Sequence, residues 1–158
     1  MVSVFRGTAI AAAGAAALTV GAALADNAPL VDDFSKYSDP TGVVLAVKTE
    51  FNAVGGAVRL SVYDEGAFLE QAAMKQNGVV NEDGLALVPI RGLRPGAYAF
   101  VAYYDENGDG KLNRGALGQP KEPIAFSNGV RPKLRKPRFE EAKVDVAPGA
   151  VVVLTLDD

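Results

Sequence analysis

Apolar and polar residues alternate along much of the chain with the period of an extended strand. Val43-Val44-Leu45-Ala46-Val47 is β-branched and continuous, and in Val58-Arg59-Leu60-Ser61-Val62-Tyr63 the residues Val58, Leu60 and Val62 share a face. The Gly55-Gly56 pair between these runs predicts a hairpin. Residues 66–76 leave the alternation: Phe68, Leu69, Ala72, Ala73 and Gln76 fall at helical spacings among good helix formers, which predicts one short helix or an irregular crossover. Asn77-Gly78 and Asp83-Gly84 read as turns. Residues 85–90 alternate again, with Pro89 marking an edge strand or a strand end. Residues 97–104, 139–146 and 150–156 supply three more strands. About seven short strands with frequent turn signals predict an all-β fold, an antiparallel immunoglobulin-like or transthyretin-like β-sandwich.

Leu93-Arg94-Pro95-Gly96-Ala97-Tyr98 fits that architecture. Proline presets the first φ of a type II turn and glycine accepts the positive φ of the second, so Pro95-Gly96 is expected at its centre. The L-x-P-G-x-Y string is similar to one found in such sandwiches, where the leucine closes the core end and the tyrosine hydroxyl reaches back to upstream backbone. Its role is architectural.

The beginning of the chain follows another pattern. One cation in residues 1–6, an apolar run over 8–20, and Ala23-Leu24-Ala25 followed by Asp26-Asn27 match the three regions of a secretory signal peptide. Residues 1–25 are therefore expected to be removed, leaving a periplasmic or extracellular protein. As a membrane anchor the run is short against about 20 spanning residues, and alanine dominates it. Residues 26–41 mix Asp, Asn, Ser and Pro and predict a flexible leader; residues 42–158 predict a single sandwich domain, with no later segment long enough to cross a membrane.

Composition then narrows the chemistry. The 158 residues carry a net charge of −3, and residues 1–25 hold one arginine and no acid, so the mature chain stands at −4. Cysteine and histidine are both absent. That excludes Ser-His and Cys-His nucleophile pairs, thiolate or imidazole metal sites, and disulfides. Any metal must be held by oxygen.

One run offers such oxygens. In D-E-N-G-D-G-K-L-N, residues 105–113, Asp105, Asn107 and Asp109 stand at positions 1, 3 and 5 of a calcium loop, Gly110 at position 6, the Lys111 carbonyl at position 7 and Asn113 at position 9. Alternate residues turn inward and the glycine permits the bend that aims the carbonyl. Position 12, where a bidentate glutamate belongs, is Ala116. The missing ligand is expected from Glu106, Glu122 or water, and the affinity for Ca²⁺ at about 10⁻⁴ to 10⁻³ M. The plain alternative is a polar turn. Residues 115–138 form a long irregular stretch in which Arg131, Lys133, Arg135, Lys136 and Arg138 place five cations in eight residues. They suit either an anionic cell-envelope component or a solvated counterweight to the acidic loop. Without stacking aromatics in this stretch, an acidic exported chain is not expected to bind nucleic acid.

The ordered succession of L-R-P-G-A-Y-A, D-E-N-G-D-G-K and F-S-N, with P-R-F-E-E-A after it, resembles a family of small exported bacterial proteins known as domain-of-unknown-function family 2141. The likeness spans roughly residues 43–156. It implies an exported β-sandwich domain without an established activity. The chain differs from the family pattern at Pro123-Ile124-Ala125 and in the basic residues 131–138.

Two classes of function follow. The first is a non-enzymatic exported module with a structural Ca²⁺ site in loop 105–113 and a binding surface on 115–138. The second is a glycan-acting enzyme using Glu106 with Glu122 or Asp109 as acid and base. Acids gathered in one glycine-rich loop favour sharing a cation over flanking a substrate, and there is no tryptophan platform for a sugar. An envelope assembly module acting through a sheet edge is a third possibility.

Overall fold

The computed structural model describes residues 33–131 and 135–157; the expected signal peptide, the first part of the expected leader and Lys133 lie outside the described residues. In chain order the elements are β1 (Gly42–Thr49), β2 (Ala57–Tyr63), β3 (Met74–Val79), β4 (Leu85–Arg91), β5 (Gly96–Asp105), β6 (Ile124–Phe126), the single turn α1 (Phe139–Ala142), β7 (Lys143–Val146) and β8 (Val151–Leu156). They make two sheets, one in the order β4-β1-β8 and one in the order β3-β2-β5-β6, with β7 also paired to β5. The result is the all-β sandwich that the alternation predicts. Every strand pairing but one is antiparallel; β1 and β8 run parallel, Val44 opposite Val151.

Alternation fixes the inner faces. Leu45, Val47, Val88, Ile90, Leu154 and Leu156 of the smaller sheet meet Val58, Leu60, Val62 and Phe100 of the larger one in one buried cluster. Burying each such side chain contributes about 1.5–3 kcal/mol. The leader's end is tied to this frame: Phe34–Tyr37 form a 3₁₀ turn capped by Asp33, and the Ser38 hydroxyl donates to the Gly149 carbonyl at 2.8 Å.

Several elements depart from the sequence pattern. β1 and β2 are not a hairpin, because β1 pairs with β4 and β8 while β2 pairs with β3 and β5. β1 is buried along nearly its whole length, so it takes the central place in its own sheet. Of the two readings of residues 66–76, the α-helix is absent and the irregular crossover is found. A 3₁₀ turn over Glu65–Ala67 leads into an irregular segment, and β3 begins at Met74. Asn77-Gly78 is not a turn but lies inside β3. A Cβ on Gly78 would stand 2.6 Å from Val88 Cγ2, so this strand needs glycine where the two sheets close. Residues 139–146 divide into α1 and the short β7. Gly96 is not in the left-handed region and opens β5, whereas Gly92 has φ +77°, so the expected type II turn at Pro95-Gly96 is replaced by a bend centred earlier. Leu93 and Tyr98 do pack against the core, but among the described residues the Tyr98 hydroxyl makes no hydrogen bond to upstream backbone.

Candidate functional site

Loop 105–113 leaves the end of β5, and its geometry follows from short polar side chains folding onto nearby backbone. Asn107 Oδ1 accepts from the Asp109 N–H at 3.0 Å and Asp109 Oδ1 from the Lys111 N–H at 2.8 Å, two successive side-chain turns. Gly108 and Gly110, at φ +73° and +75°, take the left-handed conformations that let the chain coil this tightly. The Tyr103 hydroxyl donates to the Gly110 carbonyl at 3.0 Å. Burial and the neighbouring Asp105 carboxylate push that phenol above its ordinary range. The Lys111 backbone hydrogen bond, with smaller contributions from Asn113, Asn107 and the Lys111 charge, holds the Asp109 carboxyl below its ordinary range.

Two carboxylates anchor the loop from beneath. Asp105 is buried, and its Oδ2 receives Arg59 Nε from β2 at 2.8 Å and the Gly110 N–H at 2.9 Å. Its Oδ1 is buried and has no hydrogen-bond donor. Glu122, also buried, accepts from the Glu106 N–H at 3.2 Å and from the Asn113 N–H at 2.8 Å. The Asn113 amide bridges the two parts: its Nδ2 lies 3.3 Å from Asp109 Oδ2, 3.5 Å from the Lys111 carbonyl and 3.5 Å from Glu122 Oε1. Three oxygens, two of them from carboxylates, thus converge on one weak donor, beside which Glu122 Oε1 has the Glu106 N–H at 3.2 Å and Asp109 Oδ2 has Asn107 Nδ2 at 3.3 Å.

Asp109, Lys111 and Asn113 are therefore brought together, with Glu122 joining them from outside the motif. Asn107 contacts Asp109 only, and Asp105 is turned toward Arg59. Among the described residues no group of three or more carboxylates is placed to hold a metal ion by itself. A cation here would depend on amide and carbonyl oxygens as well as on carboxylates. Arg59 gives no local signal of its role, since only the pairing of β2 with β5 sets it beside Asp105.

The basic segment is largely paired within the fold. Arg131 bonds Asp157, Arg135 grips Glu141 with two guanidinium nitrogens, and Arg138 reaches the same carboxylate at 3.5 Å. The Arg135 hydrogen bonds come first, with the Arg138 N–H and both charges behind them, in lowering the Glu141 carboxyl from an ordinary 4.5 to about 2. Lys136 has no carboxylate partner among the described residues. Beside this segment, the F-S-N string is a tie between strands. Ser127 is fully buried; its hydroxyl accepts from the Phe100 N–H at 2.9 Å and donates to the Ala142 carbonyl, while Asn128 Nδ2 donates to the Lys143 carbonyl at 2.6 Å.

No curated protein matches the chain. Among solved structures, the crystal structure of the major plantain pollen allergen Pla l 1 aligns with a TM-score of 0.35 at 9% identity, covering 73% of this chain and 92% of that one. A family described as an uncharacterized protein conserved in bacteria (DUF2141) matches residues 48–153. With β2 through β7 inside the match, along with loop 105–113 and the Ser127 tie, the chain belongs to that family.

Proposed function

We propose that the mature chain is an exported, non-enzymatic β-sandwich domain that binds Ca²⁺ in loop 105–113 and presents residues 115–138 as a binding surface. The observation that carries the cation reading is the convergence of Asp109, Lys111 and Glu122 oxygens on the single amide of Asn113. A hard cation with its first ligands from Asp109 Oδ2, the Lys111 carbonyl, the Asn113 side-chain oxygen and Glu122 Oε1 would meet oxygens whose donors stand at 3.2–3.5 Å. The buried, donorless Asp105 Oδ1 at the head of the loop adds to this, because an uncompensated carboxylate oxygen is costly to bury. Few carboxylates and the flexible 6–8-oxygen geometry favour Ca²⁺ over Mg²⁺ and place the affinity near 10⁻⁴ to 10⁻³ M. Glu122 is less suited to acid-base work in the alternative, a glycan-acting enzyme, since both of its oxygens hold backbone N–H groups.

The test is thermal unfolding of the mature chain with Ca²⁺, with Mg²⁺ and with chelator. A tenfold excess over the dissociation constant stabilises the native state by ~1.4 kcal/mol, a rise of several degrees. Asp109→Ala and Glu122→Gln should each reduce that rise. A midpoint indifferent to 10 mM Ca²⁺, on the order of ten times the expected dissociation constant or more, overturns the cation site.

A further inference from the structure

The outer face of the larger sheet is an open trough with a cavity volume of about 1330 Å³. Strand register builds its floor in rows. Asn77, Arg59, Tyr103 and Ile124 stand opposite one another across β3, β2, β5 and β6, and Lys75, Ser61, Val101 and Phe126 form the next row. These positions alternate with the buried Leu60, Phe100 and Ala102, so they point away from the core. One wall carries Leu112, Arg114 and Leu117; another carries Val130, Arg131 and Lys136.

Two properties of the trough belong together. Its floor is polar along β3 and β2 but apolar toward β6, with Val101 buried and Ile124 and Phe126 half-buried, and Leu117, 94% exposed, continues the apolar surface to the mouth. Its charged lining is cationic: among the described residues seven of the lining side chains, five of them outside the floor rows, are Lys or Arg and one, Asp157, is a carboxylate, on a chain whose net charge is negative. Arg59, Arg131 and Arg135 are paired with Asp105, Asp157 and Glu141. Lys75, Lys111, Arg114 and Lys136 form no close ion pair among the described residues, although the Lys111 charge acts on Asp109, and all four are exposed. An anionic glycan would use the cationic lining but leave the apolar part of the floor unused. The cavity also exceeds the roughly 300–1,000 Å³ of ordinary small-ligand pockets.

We infer that the trough binds an amphiphile with an anionic head group, its chain lying over Val101, Ile124 and Phe126 and its carboxylate or phosphate held by Lys75, Lys111, Arg114 or Lys136. This rests on taking residues 115–138 as a binding surface and is independent of the Ca²⁺ site, so binding is measured both with Ca²⁺ and with chelator. Calorimetric titration of the mature chain with monomeric dodecanoate and dodecyl phosphate should give saturable binding in both conditions. Shortening the chain by two methylenes should weaken binding about tenfold, and butyrate and inorganic phosphate should not bind measurably. The surface variant Lys75→Glu/Arg114→Glu should lose tenfold or more for dodecyl phosphate, and Leu117→Gln, at a fully exposed position, should lose a smaller factor for every chain length. Dodecanoate binding no better than butyrate overturns the inference, as does binding only to a sulfated oligosaccharide or only to anionic phospholipid vesicles. So does the absence of binding to either dodecyl probe.

Discussion

Ser127 shows how much one polar side chain can hold in a small all-β domain. It is fully buried, and its hydroxyl links the Phe100 N–H in β5 to the Ala142 carbonyl at the end of α1. Ser127→Ala removes one donor and one acceptor at once and strands two backbone groups in the interior. The expected loss is about 1–3 kcal/mol, read from denaturant unfolding, with Ser127→Thr recovering part of it. A wild-type midpoint for the alanine variant would show that water replaces the hydroxyl. The serine was visible in the sequence as part of a recurrent string, but its task was not, because its partners lie 27 and 15 residues away. The same separation of scales divides the candidate ion site. Asp105, Asn107, Asp109, Lys111 and Asn113 are legible because their spacing is local. Arg59, 46 residues from Asp105, comes into reach through the β2–β5 register, while Glu122 meets the loop from beyond its end.

At the level of elements, periodicity located strands wherever one face is apolar and failed where it is not. β3 reads Met-Lys-Gln-Asn-Gly-Val, mostly exposed, and is held as an edge strand by its ladder to β2. A polar strand with an Asn-Gly inside it carries the signature of a turn. Its inward glycine is the tell-tale in hindsight, since Gly78 faces Val88 where the sheets approach. Gly78→Ala should therefore destabilise the domain by about 1–3 kcal/mol through overpacking, more than propensity alone predicts. The paired variant Gly78→Ala/Val88→Ala should restore much of what the clash costs, because the two methyls lost from one sheet, Cγ2 among them, make room for the one gained by the other. Additive losses in the two single variants would place the strain elsewhere. The hairpin expected between β1 and β2 failed for a related reason: which strand pairs with which is set by burial on both faces, and β1 is buried on both.

For the whole molecule, the outline was legible because a sandwich needs only two apolar inner faces, whereas the trough on the outer face emerges from register and loop placement that no local pattern encodes. The charge distribution has one consequence that concerns the domain as a unit. Asp33, Asp39, Asp109 and Glu141 all sit below the ordinary carboxylate range in the folded protein, each held chiefly by hydrogen bonds that the unfolded chain lacks, and Glu141 falls to about 2. A carboxyl that binds its proton more weakly when folded favours the folded state wherever it is ionised in both. That contribution is complete above the unfolded value, near 4.5 for Glu141, and is lost as pH falls toward its folded value of about 2. Thermal midpoints should consequently be flat through neutrality with respect to these groups and fall steeply between about pH 4.5 and 2. Because these carboxylates lie at the surface, their individual effects are screened, and raising the salt concentration should shrink the acid slope. Glu141→Gln should flatten it further while leaving residues 135–138 less firmly held, which faster proteolysis after Arg135 would report. An acid slope identical in the wild type and Glu141→Gln would show that the Arg135–Glu141 brace contributes nothing to global stability.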